Sequence, residues 1–434
     1  MPSQPTPYAE LSQDALAATV VVLEDEVAAL KAKGLNLDMA RGKPSPEQVN
    51  LSRGLLDALT SESSLEDDGV DAANYGAPYG LPSARKLMAS LIDVDPEWTL
   101  VAGSSSLNLM HDCFTHAYLF GVMGAEPWSR QAQEQELKFL CPSPGYDRHF
   151  AVSAHFGLTN IPVEMTPEGP HMDQVEELVK DPAVKGIWCV PKYQNPCGCV
   201  FSPATVERFA ALKPAASDFR IFWDNAYVVH DLTFPAPELV NIFEAAAAHG
   251  TQDRIYEFTS TSKITFPGSG IAALAATPAN LKDLMRSFGL ERVCSDKMTQ
   301  LAHVRYFSSK LDVLAHMRAQ AEHLAPRFVL VEQKLTAALA GLAIATWTHP
   351  AGGYFVSFDT LPGCAREVVE LCAATGVKLT PAGATWPYGR DPKDTNIRLA
   401  PSYPTLGELA QALDVFCACV KLVSARHLLA QRQA

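Results

Sequence analysis

Between residues 97 and 278, short apolar runs alternate with stretches of helical pattern, and this rhythm restricts the possible folds more than any other feature of the chain. Candidate strands fall at 99–102, 137–141, 158–164, 186–190, 219–223, 254–258 and 271–276, and several are apolar at successive positions instead of alternating. A strand without a polar face has to be covered on both sides. Helical stretches between the runs, such as 107–121, 202–213 and 233–249, can supply that cover. The expectation is an α/β protein built on a mainly parallel seven-stranded sheet with helices on both faces.

The flanks read differently. Leu16, Val20, Leu23, Val27 and Leu30 recur at intervals of three and four, which predicts a helix over 8–33 closed by Lys33-Gly34. Leu37 to Pro44 reads as an extended segment breaking into a turn at Gly42, and 60–82 as a long Ser-, Asp-, Gly- and Pro-rich connection before a helix at 83–92. The polar stretch 121–136 reads as a local insertion. A long helical region, 280–345, leads to a compact tail: a strand at 352–358, a helix at 364–375, strands at 376–380 and 395–399, and a final helix at 406–422. A chain of 434 residues exceeds what one core usually supports. Residues 55–315 are expected to form a large domain, and 1–54 with 316–434 a smaller α/β one.

Composition narrows the partners. Lys+Arg 35 against Asp+Glu 48 leaves a net charge of −13, which repels a phosphodiester backbone, so no nucleic acid is expected. Met1 to Pro7 lacks the basic start and apolar run of a secretory leader, and no run reaches membrane-spanning length. Ten cysteines diluted over the chain are no disulfide scaffold, and the expected compartment is the cytoplasm. Cys197-Gly198-Cys199 and Cys417-Ala418-Cys419 are each one residue short of the usual zinc spacing, so no metal is expected.

Candidate chemistry collects at the ends of the apolar runs. Lys263 follows Phe258-Thr259-Ser260-Thr261-Ser262 in a turn crowded with hydroxyls and glycines, where a lysine can act as a carbonyl-bonding amine or simply face solvent. Asp224 ends the run Arg220-Ile221-Phe222-Trp223, where open α/β sheets bind ligands; it could equally cap a helix. Asn195 precedes Pro196 just after another run, a donor held in direction or an ordinary turn pair. Gly103-Ser104-Ser105-Ser106 opens a helix and suits a phosphate or a plain cap. Ser260 and Ser262 could complete the same shell. Tyr146 is a stacking platform or a core aromatic, and Arg398, on a short apolar strand, needs a carboxylate or an internal salt bridge.

Taken in order, Asn195-Pro196-Cys197-Gly198, Asp224 to Tyr227, Ser260 to Lys263 and Arg398 resemble the landmarks of fold-type I pyridoxal-phosphate (PLP) enzymes, specifically class I aminotransferases. Within these the chain is most similar to a divergent bacterial aspartate aminotransferase subgroup, over nearly its whole length from Arg41-Gly42-Lys43-Pro44 to Arg398. The resemblance implies PLP as cofactor and Lys263 as the amine that bonds its aldehyde and shuttles the proton. It implies that Asp224 pairs with the pyridine nitrogen, Tyr227 and Asn195 with the phenolic oxygen, and that Tyr146 stacks on the ring. Ser104, Ser105, Ser106, Ser260 and Ser262 would hold phosphate, while Gly42, Asn195 and Arg398 would face the amino acid. Tyr75 would reach the neighbouring subunit's phosphate, which implies a homodimer with shared sites.

Two departures stand out. Common members carry a phosphate-gripping arginine eight residues after the lysine, whereas Ile271 stands there. The arginine that reads an acidic side chain has only the candidates Arg41, Lys43, Arg305 and Arg390. The expected reaction moves the amino group of L-aspartate to 2-oxoglutarate in two half-reactions. Its rivals are an aminotransferase of other specificity, a β-lyase or decarboxylase on the same cofactor, and a non-catalytic regulator.

Overall fold

A computed structural model describes residues 6–433, so most of the N-terminal stretch read for a leader lies outside the described residues. Eight strands form the central sheet, in the spatial order Thr99–Val101, Ala272–Ala275, Ile255–Ser260, Arg220–Asp224, Val184–Cys189, Lys138–Ser143, Thr159–Thr166, Gly169–Pro170. The run from Ile255–Ser260 to Thr159–Thr166 is parallel throughout, and Ala272–Ala275 is inserted antiparallel between its two neighbours. Seven of these are the expected strands. The eighth, absent from the sequence reading, is a two-residue strand that folds back antiparallel on Thr166.

The apolar runs divide between the two faces with the period of two that a strand imposes. Phe139, Trp188, Phe222, Tyr256 and Phe258 pack against the helix Ser106–Phe120, where the Phe114 ring lies 5.2 Å from both Trp188 and Phe222. Their neighbours Leu140, Ile187, Ile221, Trp223 and Ile255 turn the other way, onto Val206, Phe209, Ile242 and Phe243. With both faces filled by large side chains, the strand ends are held rigidly.

A second core joins the two chain termini. Leu16, Leu23, Val27 and Leu30 of the helix Gln13–Lys31 pack with Phe416, Val420 and Val423 of the helix Leu406–Gln433, over an antiparallel sheet of Ala345–Trp347, Val356–Thr360 and Asn396–Leu399. The parallel pair Leu37–Asp38 with Val377–Lys378 stitches the N-terminal segment to the tail. One 30-residue helix, Lys310–Leu339, links the central sheet to the second core: Val313 and Met317 cluster with Val101 and Ala273 of the sheet, while Val331, Leu335 and Leu339 belong to the second core. Between them Leu324 meets Val190, Tyr193, Tyr227, Tyr354 and Phe355, a small apolar cluster where the two cores touch.

Several readings need correction. The helix expected at 233–249 shrinks to Ile242–Ala247, because Pro235 and Pro237 remove backbone donors and the Asn241 side chain caps a fresh start by accepting from Phe243 and Glu244. The region 280–345 is three helices, Pro278–Glu291, Lys297–Tyr306 and Lys310–Leu339. The strand of the tail begins at Val356, since Gly352 packs where a Cβ would stand 2.3 Å from the Tyr193 ring. The stretch 121–136 is anchored to the core, with Trp128 fully buried and its indole N–H donating to Asp218 at 2.9 Å. The last helix also continues past 422 to Gln433.

Candidate active site

The strand carrying Glu257 and Phe258 runs out at Ser260, and the turn that follows is pinned from several sides. Thr261 N–H donates to the Ile271 carbonyl at 2.8 Å and its hydroxyl accepts from Ile271 N–H at 2.9 Å, while the amides of Ile264 and Thr265 return to the Thr261 carbonyl. His303 braces the same hydroxyls: its Nδ1 gives its proton to the Thr299 carbonyl, leaving Nε2 to accept from Thr261 and Thr265 at 3.1 and 3.0 Å. Burial lowers the His303 pKa and keeps that arrangement neutral. Lys263 stands at the apex of this turn, its ammonium 5.0 Å from the centre of the Tyr227 ring.

Asp224 ends its strand beside this turn, 4% exposed. One carboxylate oxygen takes a hydrogen bond from His149 Nε2 at 3.0 Å; the other, Oδ1, has no partner although it is buried. His149 is held for that task, its ring stacked on Trp188 at 4.6 Å and 11°. A buried carboxylate oxygen left open is costly unless a donor meets it, and an N–H bearing positive charge is the donor that suits it best. The next residue locks the strand end: Asn225 N–H donates to the Phe258 carbonyl at 2.8 Å and its side-chain amide to Glu257 at 2.9 Å. Burial, reinforced by the Asp224 charge, raises the Tyr227 pKa, so its hydroxyl keeps its proton as a donor.

Arg398 enters from the tail strand Asn396–Leu399. Its guanidinium reaches Asn195 at 3.3 Å, Asp147 at 3.4 Å and Thr380 at 3.4 Å, stacks over Phe355 at 4.9 Å, and leaves Nε without a partner. Three long contacts and an idle N–H leave most of its donor fork open to an anion. Asn195 is fixed by its neighbours, with Gln194 donating to the Pro144 carbonyl and accepting from Cys197 N–H. Gly42 lies against the same ring, where a Cβ would stand 2.3 Å from Phe355 Cζ.

These side chains share one cavity of about 490 Å³, lined by Gly42, Ser105, Ser106, Tyr146, Asn195, Asp224, Tyr227, Ser260, Ser262, Lys263 and Arg398. Tyr146 sits edge-on to His149, ring centres 5.0 Å apart. Two of the sequence candidates are not on this wall. Ser104 accepts at its carbonyl from the Ser262 hydroxyl at 2.7 Å, and Tyr75 is 80% exposed. Of the four candidate readers of an acidic side chain, Arg41 lines the cavity. Lys43 instead covers the Tyr403 ring at 3.6 Å, and Arg305 donates to the Glu66 carbonyl. Arg148 and Lys378, which the sequence did not single out, also line the wall, as does Thr380. His149 was missed as well. Its position three residues after Tyr146, at the start of the helix Asp147–His155, is the signal that could have found it. A larger cleft of about 910 Å³, bordered by Lys192, Asn225, Asp231 and Glu257, holds neither Lys263 nor Arg398 and does not draw these groups together.

An amine on a strand-end turn that shares one cavity with a buried half-paired carboxylate, several serines and an open guanidinium is the arrangement of a fold-type I PLP-dependent transferase. The chain belongs to the aspartate amino-transferase family, whose model matches residues 11–432. It is 44% identical over 400 residues to an aspartate aminotransferase of Corynebacterium glutamicum, covering 92% of each. The crystal structure of an aspartate transaminase from the same organism superposes with a TM-score of 0.94 at 41% identity, over 98% of this chain and all of that one. An α-aminoadipate aminotransferase of Thermus thermophilus, solved with N-(5'-phosphopyridoxyl)-L-leucine, shares the fold at 19% identity and a TM-score of 0.71, over 92% and 95% of the two chains. The protein is accordingly a PLP-dependent aminotransferase.

Proposed function

We propose that this aminotransferase moves the amino group of L-aspartate to 2-oxoglutarate, with Lys263 as its catalytic amine. The observation that carries the assignment of the cavity is the unpartnered Oδ1 of Asp224 in the same space as Lys263 and the open fork of Arg398. When bound, PLP supplies an aldehyde for the amino group and a protonated ring that draws electrons from the substrate's α-carbon. On this reading Asp224 holds the ring proton, braced by His149. Tyr227 and Asn195 donate to the ring oxygen, and Tyr146 covers the ring face. Arg398 grips the α-carboxylate beside Gly42, which fixes the α-C–H relative to Lys263 Nζ, the atom that takes and returns the proton.

Residues 55–315 would carry the cofactor, and 1–54 with 316–434 would bring Gly42 and Arg398 to it. Tyr75, exposed and not on the wall of its own chain's cavity, would serve the site of a second copy in a homodimer. A dicarboxylate substrate is supported by Arg41, Arg148 and Lys378 on the wall, none of which is engaged in an ion pair among the described residues. The aspartate aminotransferase of Corynebacterium glutamicum supports it too. The test is product analysis with aspartate and 2-oxoglutarate. Glutamate and oxaloacetate in equal amounts are expected; alanine or pyruvate formed without an acceptor would refute transfer.

A further inference from the structure

A phosphate ester brings close to two negative charges into the cavity, yet position 271 offers no guanidinium to meet them. Ile271 is 1% exposed and packs with Val101, Ile264 and Leu301, so a charged side chain there would be buried in hydrocarbon. The loop before it leaves no room for a detour. A Cβ on Gly270 would stand 3.1 Å from both the Ser104 carbonyl oxygen and the Ser262 amide nitrogen, so main chain fills the route from this loop into the cavity.

Three other cations line the cavity, Arg41, Arg148 and Lys378. Thr380, which accepts from Arg398, donates in turn to the Ala40 carbonyl at 2.7 Å, and Arg41 is the next residue. Lys378 lies two residues before Thr380, and Arg148 follows Asp147, the acid that touches Arg398. All three wall cations therefore come from segments that also hold Arg398. The serines bring hydroxyls and amides instead. Ser106 opens a 15-residue helix, and no protein acceptor among the described residues takes the N–H of Ser105 or Ser106. Ser260, 7% exposed, donates to Ser262 at the long distance of 3.2 Å and can turn that proton to a better acceptor. Ser262 cannot: its proton goes to the Ser104 carbonyl at 2.7 Å, tying strand turn to helix entry.

Resting on the reading that this cavity holds PLP, we infer that the chain holds the cofactor's phosphate without a guanidinium of its own. The helix-start amides of Ser105 and Ser106 and the hydroxyls of Ser106 and Ser260 carry the phosphate, and Ser104, Ser262 and Gly270 form the scaffold that places them. Selectivity for phosphate then comes from oriented neutral donors and the helix terminus, not from an ion pair.

The test compares binding of PLP and of pyridoxal, which lacks the phosphate, to the full chain reconstituted with each, followed by visible absorbance. Ser106→Ala and Ser260→Ala are each expected to cut the preference for PLP over pyridoxal by roughly ten- to a hundredfold, the range for a hydrogen bond to a charged group. Arg41→Gln, Arg148→Gln and Lys378→Gln should each change that preference by less than about threefold, since on this inference none of them contacts the phosphate. A collapse of the preference in any of the three cation variants would overturn the inference, as would serine variants that keep it intact or lose both ligands equally. If the unaltered chain develops no absorbance band with PLP at all, the cofactor reading itself fails instead.

Discussion

Glu257 sits in the strand that delivers Lys263, 3% exposed, and accepts its one side-chain hydrogen bond from Asn225 at 2.9 Å. Burial pushes its carboxyl from the ordinary 4.5 up to about 8. Between those two values the folded chain keeps a proton that the unfolded chain has released, so stability falls as pH rises. The contribution is complete below the unfolded pKa and is gone once pH passes the folded one. The slope is about 1.4 kcal/mol per pH unit, or on the order of 3 kcal/mol between about pH 5 and about pH 8. Glu257→Gln preserves the oxygen that accepts from Asn225 but carries no ionisable proton. Its stability relative to the parent should therefore rise by on the order of 3 kcal/mol across that window, because every other titrating group cancels in the difference. Urea unfolding of the cofactor-loaded protein and variant at both pH values measures it. Two midpoints that shift in parallel would refute the assignment of a buried, protonated carboxyl.

Three further outcomes follow from the cavity. Lys263→Ala should abolish turnover, a loss on the order of ten-thousandfold, and remove the absorbance band of the bonded cofactor; full activity would exclude the lysine. Arg398→Ala strips the guanidinium braced by Asn195, Thr380 and Phe355 and should lower kcat/KM for the amino acid by roughly a hundredfold, mainly through KM, with cofactor retained. Gly42→Ala forces a methyl to within 2.3 Å of Phe355 Cζ, the ring under Arg398, and overpacking of about 1–3 kcal/mol should raise KM while the cofactor band stays unchanged. Steady-state kinetics on aspartate, with spectra of the same samples, separates these cases.

Much of the architecture was legible because its signals are short-range. Ile221-Phe222-Trp223 is apolar at each position because the sheet buries both its faces, and that pattern needs no knowledge of what covers it. The same holds for the helix Gln13–Lys31, read from its spacing, and for Lys263, Asp224, Asn195 and Arg398, each marked by its place at or near the end of an apolar run. What failed was local pattern without context. Residues 233–241 carry enough apolar character to suggest a helix, yet Pro235 and Pro237 lack the backbone donors that a helix needs.

The sequence alone thus determined the inventory: which amine, carboxylate, amide and guanidinium exist, and that strands of this kind end together. Only the tertiary structure decided how they are spent. His149 closes on Asp224 across 75 positions, leaving one oxygen free, and Ser262 gives its proton to Ser104 across 158. Main chain of Ser104 and Ser262 closes to within 3.1 Å of where a side chain on Gly270 would start. A residue's type fixes the bonds it is able to make, whereas its partner depends on sheet order and on how two cores close, and neither is written in any short stretch of chain.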